Sequence, residues 1–144
     1  HHIAGEWGHN VLEVDGPQCY CGNHGCVETF LSGPGLVAEY VRQGGDTGVD
    51  AATVAARSVH DRTAREALDV FLDRFGRALA TVINILDPDL VVLGGGLSNI
   101  EHLYIEGRQR TAPYVFNEDF RTPIVSNSHG DSGGVRGAAL LWPA

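Results

Sequence analysis

The sequence contains neither lysine nor methionine among its 144 residues. All ten basic residues are arginine, and 18 acidic residues leave a formal net charge of −8. This acidic balance, with a pI near 5.2, disfavours binding to nucleic acid or to an anionic membrane surface. A translated chain starts with methionine, so we expect this sequence to be a processed or trimmed piece of a longer protein.

Long apolar runs are also missing. No stretch approaches the ~18 apolar residues that a membrane-spanning helix needs, and nothing resembles a secretory signal. The length is sufficient for one compact domain with its own core. These absences exclude a transmembrane helix in this sequence, and the length favours a single domain, residues 1–144.

Cysteine is scarce, but the three cysteines lie within eight positions, and a histidine lies ten residues upstream. One histidine and three cysteines complete a four-ligand set for tetrahedral zinc. Gly22 and Gly25 allow the positive φ angles that a chain needs to fold back around an ion. The candidate ligands are His9, Cys19, Cys21 and Cys26.

Two other interpretations of the cysteines stay open, namely a disulfide with one free thiol and three plain buried cysteines. The odd count argues against a pure disulfide framework. A four-ligand cluster has no open coordination position, so it indicates structural rather than catalytic zinc. Zinc-bound thiolates suit a reducing compartment, which predicts a cytoplasmic protein.

Two glutamates flank this cluster. Glu6 lies three residues before His9, and Glu28 lies two residues after Cys26. A metal would therefore hold both segments in place. Ionised carboxylates accept several hydrogen bonds and suit the hydroxyl groups of a sugar, although surface glutamates are the commoner interpretation of any single Glu.

These residues resemble a known pattern. GEWGH at 5–9, followed by C-x-C-G-x-x-G-C-x-E at 19–28, resembles the zinc signature of the ROK family, which comprises transcriptional repressors and sugar kinases. The resemblance continues through LSGPG at 31–35, DPDLVVLGGGLSN at 87–99 and HGDSGGVRGAALLWP at 129–143. The tryptophan of GEWGH, the PYVF segment and the closing segment look most like the bacterial fructokinase branch.

The resemblance implies an α/β fold, the helix-rich C-terminal lobe of an actin-like ATPase (ribonuclease H-like) with a zinc-binding loop. ROK kinases carry a D-x-G-G-T phosphate loop and an N-D motif whose aspartate is the general base, and neither motif occurs in residues 1–144. We therefore expect the N-terminal lobe to be absent, no catalytic residue in this chain, and no kinase activity from the chain alone.

The resemblance also implies a function for the full-length protein. That function is ATP- and Mg²⁺-dependent phosphorylation of a hexose, fructose to fructose 6-phosphate, with structural Zn²⁺ and a homodimeric assembly. Glu6, His9 and Glu28 would bind the sugar, and the turn formed by Gly94, Gly95 and Gly96 would border the nucleotide. On glycine chemistry alone, that turn is equally well a simple tight turn.

Other functions remain open. N-acetylglucosamine kinases and glucokinases share the zinc pattern. A ROK repressor would sense a sugar in the same pocket and would need a helix-turn-helix upstream, since residues 1–144 contain no basic recognition helix. A non-catalytic, zinc-stabilised interaction domain is the remaining class.

Hydrophobic periodicity predicts the main elements. The longest helix is expected at about 62–86, ending before Pro88, with an apolar stripe that forms the core or a dimer face. A single helix is expected from Thr29 to about Gln43. A short buried strand is expected at 90–93. Further elements are expected at 1–13 (strand), 50–58 (helix), 98–111 (helix capped by Ser98 or Asn99), 123–126 (strand) and 135–141 (helix).

Overall fold

The fold is a helical core with a small parallel sheet at one side. The computed structural model describes residues 4–130 and 132–141, so Asp131 and Trp142 of the closing glycine-rich segment lie outside the described residues. The elements are α1 (Val27–Phe30), α2 (Gly33–Arg42), α3 (Ala51–Arg57), α4 (Arg62–Leu86), β1 (Val91–Leu93), α5 (Arg108–Thr111), β2 (Ile124–Ser126) and α6 (Gly133–Leu140).

The long helix α4 organises the core. Asp61 accepts hydrogen bonds from the Thr63 and Ala64 amides at its start, and Asp87 adopts a left-handed conformation at its end. Most of the predicted apolar stripe is buried, which confirms its interpretation as core, but Leu86 at its end is exposed. Its buried members include Ala64, Ala67, Leu68, Phe71, Leu72, Phe75, Leu79 and Ile83.

Helices α2 and α3 pack against α4 and are each fixed by a cap. Ser32 Oγ accepts a hydrogen bond from the Gly35 amide at 3.1 Å, and Asp50 Oδ1 accepts one from the Thr53 amide at 2.7 Å. The short helix predicted at 50–58 is confirmed. The continuous helix predicted over 29–43 is wrong, because Ser32 has extended backbone angles and begins a new helix there.

The sheet has two parallel strands, with Val91 opposite Ile124 and Leu93 opposite Ser126. Both strands lie close to the predicted positions. The prediction that β1 is buried is wrong, since the Val92 side chain is 54% exposed. Val125 of β2 is also exposed, because the described sheet has only two strands and neither is flanked by a further strand.

The segment between the strands is less regular than predicted. A 3-10 turn at Gly96–Asn99 precedes a π-helical turn at Leu103–Gly107, and α5 follows. Ser98 is not a helix cap, because its hydroxyl donates to the Gly95 carbonyl at 2.7 Å. The uniform helix predicted from 98 or 99 to 111 is therefore wrong at its start.

The two ends of the chain also differ in detail from the predictions. The N-terminal segment forms a 3-10 turn at Trp7–His9 rather than a strand within the described residues, and Val11 makes only an isolated bridge to Cys26. Helix α6 begins two residues earlier than predicted, and Val135 and Leu140 on it are exposed. Among the described residues, no helix is both long and apolar enough to cross a bilayer.

Candidate functional site

The cysteine segment forms a loop that folds back on the N-terminal segment. The Leu12 amide donates to the Gly25 carbonyl at 2.8 Å, and the Val27 amide donates to the Asn10 carbonyl at 2.9 Å. Within the loop, Gln18 and His24 form an antiparallel bridge. These backbone contacts bring residues near position 9 next to residues near position 26.

Gly25 is required for this closure. Its φ is +67°, and a Cβ atom there would lie 1.7 Å from the Glu13 carbonyl oxygen. Any side chain would therefore force the two arms of the loop apart. Gly22 turns the loop with a φ of +94° but has open space around it.

The four predicted ligands converge at the base of the loop. One ligand atom from each of His9, Cys19, Cys21 and Cys26 lies within 4.8 Å of the others. His9 Nδ1 is 3.7 Å from Cys19 Sγ, and Cys21 Sγ is 3.7 Å from Cys26 Sγ. Cys19 and Cys26 are buried, whereas Cys21 is exposed.

These separations suit a tetrahedral metal ion. Bonds of about 2.3 Å to sulfur place two ligand atoms of a tetrahedron roughly 3.8 Å apart, which is close to the observed 3.7 Å. A disulfide would need a sulfur–sulfur distance of about 2.05 Å. All three cysteines are free thiols.

The thiols differ in their readiness to ionise. The hydrogen bond from the Asn23 backbone lowers the pKa of Cys21 to about 7. Burial of the Cys26 sulfur away from water raises the pKa of this thiol to about 12, and the neighbouring thiols of Cys19 and Cys21 act in the same direction. Because zinc ligands bind as thiolates, a cation is needed to hold Cys26 in its ionised form.

The second ring nitrogen of His9 points away from the cysteines. Its Nε2 lies 3.9 Å from a carboxylate oxygen of Glu6 and 3.9 Å from one of Glu28. The hydroxyl oxygen of Tyr20 is closer, at 2.9 Å. The two glutamate side chains are 69% and 47% exposed, so this polar group faces solvent.

The loop is attached to the helical core by ion pairs. Glu13 binds Arg74 at 2.8 Å and Arg77 at 2.7 Å. Arg74 also binds Glu39 of α2 at 3.0 Å and lies 4.3 Å above the Phe30 ring. Hydrogen bonds from Arg74 lower the pKa of Glu13, so this carboxylate stays ionised at neutral pH.

Glu39 is the most buried member of that network, at 6% exposure. Burial raises its pKa, but hydrogen bonds from Arg42, Gln43 and Arg74 outweigh burial and lower it to about 2. Its oxygen accepts from Gln43 at 2.6 Å. The ionised carboxylate therefore joins the loop, α2 and α4 through Arg74.

The predicted glycine turn follows β1. Gly95 alone of the three has a positive φ, +75°, and a Cβ atom at any of the three would meet nothing within 4 Å. The turn leads into a 3-10 turn of four residues, Gly96–Asn99, so the backbone amides of a longer helix start are not present there.

Gly96 lines a cavity of about 870 Å³ that the sequence did not reveal. The cavity lies between the start of α2, helix α3 and the 3-10 turn. Apolar side chains dominate it, including Val37, Val49, Ala55, Leu97 and Ile100, and polar groups come from residues such as Asp50, Asn99 and His102. Gly94 and Gly95 do not line it.

The model of the ROK family matches the whole chain, residues 1–144. The chain belongs to the ROK family. It is 36% identical over 150 residues to an N-acetyl-D-glucosamine kinase of Aliivibrio fischeri, and the match covers 97% of this chain and 50% of that relative. The ROK chain therefore spans about half the length of the curated relatives it matches.

Solved structures establish the fold of this ROK chain. A ROK family glucokinase from Streptomyces griseus, crystallised in complex with glucose and AMPPNP, matches with a TM-score of 0.82 at 24% identity, over 96% of this chain and 51% of that chain. A ROK family transcriptional regulator, a homologue of the E. coli MLC protein, matches with a TM-score of 0.74 at 23% identity, over 94% and 37%. The predicted helix-rich α/β fold is thus confirmed as the ROK fold.

Sequence reasoning missed two features of this ROK chain. Tyr20 was not selected, because one aromatic residue between two cysteines forms no pattern. The ion pairs of Glu13 and Glu39 were also missed, since their arginine partner lies 61 and 35 residues away. The arginines of α4, at positions 62, 65, 74 and 77, were the available signal.

Proposed function

We propose that the whole protein containing this chain is an ATP-dependent hexose kinase, and that residues 1–144 contribute its sugar-binding surface and one side of its nucleotide site. The proposal is carried by the position of His9, whose two ring nitrogens face two different groups of side chains. One ring nitrogen faces three thiols and the other faces two carboxylates. The family membership and the kinases among its relatives support the same function.

The sugar would bind at Glu6, His9 and Glu28. Their polar atoms surround one exposed position, with both carboxylates 3.9 Å from His9 Nε2. Ionised carboxylates accept hydrogen bonds from hydroxyl groups, and an imidazole N–H donates one. Three such groups can fix the orientation of a hexose, and orientation is a large part of catalysis of phosphoryl transfer.

Zn²⁺ would be held by His9, Cys19, Cys21 and Cys26. The metal would serve a structural role, because four protein ligands leave no open position. It would hold the imidazole in one orientation and fix its tautomer, so that Nε2 carries the proton and can donate to a sugar hydroxyl. Glu6 and Glu28 are near the cluster but outside the ligand set.

The adenosine part of ATP would occupy the cavity beside Gly96. A volume of about 870 Å³ with mostly apolar walls accommodates a purine base and its ribose. Of the three predicted glycines, Gly96 is the one in position to contact the nucleotide, while Gly94 and Gly95 would set the turn. Mg²⁺ and the phosphates would lie towards the N-terminal lobe. We propose that this lobe is absent from these 144 residues.

We propose N-acetylglucosamine and glucose as the first substrates, ahead of the fructose that the sequence motifs favoured. Curated relatives at about 35–37% identity are named N-acetyl-D-glucosamine kinases, although the zinc loop alone does not separate these sugars.

A coupled kinase assay on the full-length protein tests the function. The assay compares N-acetylglucosamine, glucose, fructose and mannose at fixed ATP. We expect phosphorylation of at least one of them and loss of most of that activity in Glu28→Gln, with Glu118→Gln as an exposed control outside the loop. No phosphorylation of any of the four sugars by zinc-loaded protein would reject the proposal.

A sugar-sensing repressor is the second candidate. The fold similarity to a ROK transcriptional regulator favours it, because the same surface could bind a sugar without transferring phosphate. In that case the full-length protein would bind sugar without consuming ATP, and it would carry a DNA-binding segment. Homodimerisation and cytoplasmic location remain predictions for either candidate.

A further inference from the structure

Tyr20 lies between the first two cysteines, and neither metal binding nor packing accounts for its position. Its side chain is 82% exposed. Its hydroxyl nevertheless lies 2.9 Å from His9 Nε2, and the two rings meet edge to face with centroids 5.1 Å apart. An exposed tyrosine with two directed contacts to one histidine is held at that histidine rather than free in solvent.

The nitrogen that Tyr20 contacts is the one that the proposed function assigns to the sugar. Glu6 and Glu28 flank the same atom at 3.9 Å each. A phenol hydroxyl, like a sugar hydroxyl, both donates and accepts hydrogen bonds. The Tyr20 hydroxyl therefore occupies the position beside His9 Nε2 that a bound sugar hydroxyl would need.

The chemistry of the ring allows only one such partner. When Nδ1 faces the metal ligands, a neutral imidazole carries its one proton on Nε2 and can donate one strong hydrogen bond. A sugar hydroxyl and the Tyr20 hydroxyl cannot both receive it. Because the tyrosine is mostly exposed, its side chain can rotate into solvent without leaving a cavity.

We propose that Tyr20 is an internal competitor of the sugar. In the sugar-free site its hydroxyl binds His9 Nε2 and keeps the imidazole oriented. A hexose must displace this hydroxyl when it binds, and this competition lowers the affinity for the sugar. The proposal rests on the proposed sugar-binding function. It adds a residue that tunes affinity at that site.

Tyr20→Phe in the full-length, zinc-loaded protein tests the competition. Removal of one neutral hydrogen bond from the sugar-free state should lower the Kd for the sugar about 2- to 10-fold, as measured by titration calorimetry with N-acetylglucosamine and glucose. Tyr114→Phe is the matched control, because its hydroxyl binds Asp73 at 2.9 Å; its Kd should not change. An unchanged or raised Kd in Tyr20→Phe overturns the proposal.

The nitrogen resonances of His9 give a readout that needs no sugar. In protein labelled with ¹⁵N-histidine, the Nε2 signal should shift in Tyr20→Phe, and sugar should shift it in the wild type. No shift in the variant overturns the contact. If the variant shifts the signal but neither protein binds any tested sugar, the sugar function fails and the competition fails with it, whereas the contact itself stands.

Discussion

At the scale of single residues, the predicted ligand set was readable because its members are close in sequence. His9 and the three cysteines are separated by 17 positions at most, and Gly22 and Gly25 allow the tight turns between them. Tyr20 could not be identified from the sequence, because a single aromatic residue between two cysteines forms no pattern. The arginine partners of Glu13 could not be identified either, because their contacts depend on how the loop lies against α4. Local spacing predicts which side chains converge in this loop, but it does not predict what packs around them.

Cys21→Ser tests the metal centre. Serine cannot replace a thiolate ligand, so zinc should fall from one ion per chain towards none. Since metal binding contributes to folding free energy, Tm should fall by about 10 °C or more. Elemental analysis and calorimetry measure both quantities.

His24→Ala is the control for that experiment. His24 is exposed on the same loop and is not among the converging ligand atoms. It should keep its zinc and lose little stability. Zinc retention in Cys21→Ser, or equal zinc loss in both variants, would contradict the assignment of the ligands.

Glu6→Gln tests the sugar-binding surface in the full-length protein. The amide keeps the shape of the side chain but replaces one acceptor with a donor. Loss of a charge-assisted hydrogen bond should lower kcat/KM for the sugar about 10- to 150-fold. KM for ATP and the zinc content should stay unchanged, because Glu6 is outside the proposed ligand set and does not line the cavity. Unchanged sugar kinetics would move the sugar site elsewhere, and zinc loss would change the ligand set.

At the scale of elements, periodicity predicted α4 closely, because a 25-residue amphipathic stripe repeats often enough to exclude alternatives. The break between α1 and α2 was missed, since Ser32, Gly33 and Pro34 begin a helix at a point where the apolar spacing continues unbroken. Strand β1 was found, but its burial was not, because burial depends on neighbouring strands rather than on its own residues.

The buried carboxylate that joins these elements makes a prediction about pH. Glu39 has a pKa of about 2 in the folded protein, below its ordinary value of 4.5. A lowered pKa stabilises the fold fully above about pH 4.5, and this stabilisation is lost as pH falls towards 2. The difference corresponds to about 3 kcal/mol in the free energy of unfolding.

Glu39→Gln should therefore lower the free energy of unfolding at pH 7 by about 3 kcal/mol, and leaving Arg74 partly unpaired adds to the cost. The gap between wild type and variant should narrow below pH 4.5. Denaturant titrations of both proteins at pH 7, 5 and 3 measure this difference in the free energy of unfolding. Glu66→Gln is the control, because its partner Arg62 is 90% exposed and the pair contributes about 0.5 kcal/mol or less. A gap that stays constant from pH 7 to 3 would show that the carboxylate charge is not responsible.

At the scale of the whole molecule, the motifs predicted the family but not the cavity beside Gly96. The cavity walls come from α2, α3 and the turn after β1, three segments that are distant in sequence. No local pattern encodes a space between such segments. The resemblance extends over nearly the whole chain and therefore gave the fold correctly, whereas the branch motifs are short and favoured fructose.

The division of the proposed kinase site across the molecule leads to the last prediction. Residues 1–144 contain the candidate sugar and adenosine surfaces but neither of the family motifs for phosphate binding and general-base catalysis. Phosphoryl transfer depends on holding the phosphates, the metal and the attacking hydroxyl in line, and two surfaces without those groups do not position the reaction. Purified 1–144 should therefore bind one zinc ion yet show no ATP-dependent sugar phosphorylation above the background of a Glu6→Gln version. Activity that scales with zinc-loaded protein and disappears in Glu6→Gln would mean that the phosphate-binding and base groups lie within these 144 residues.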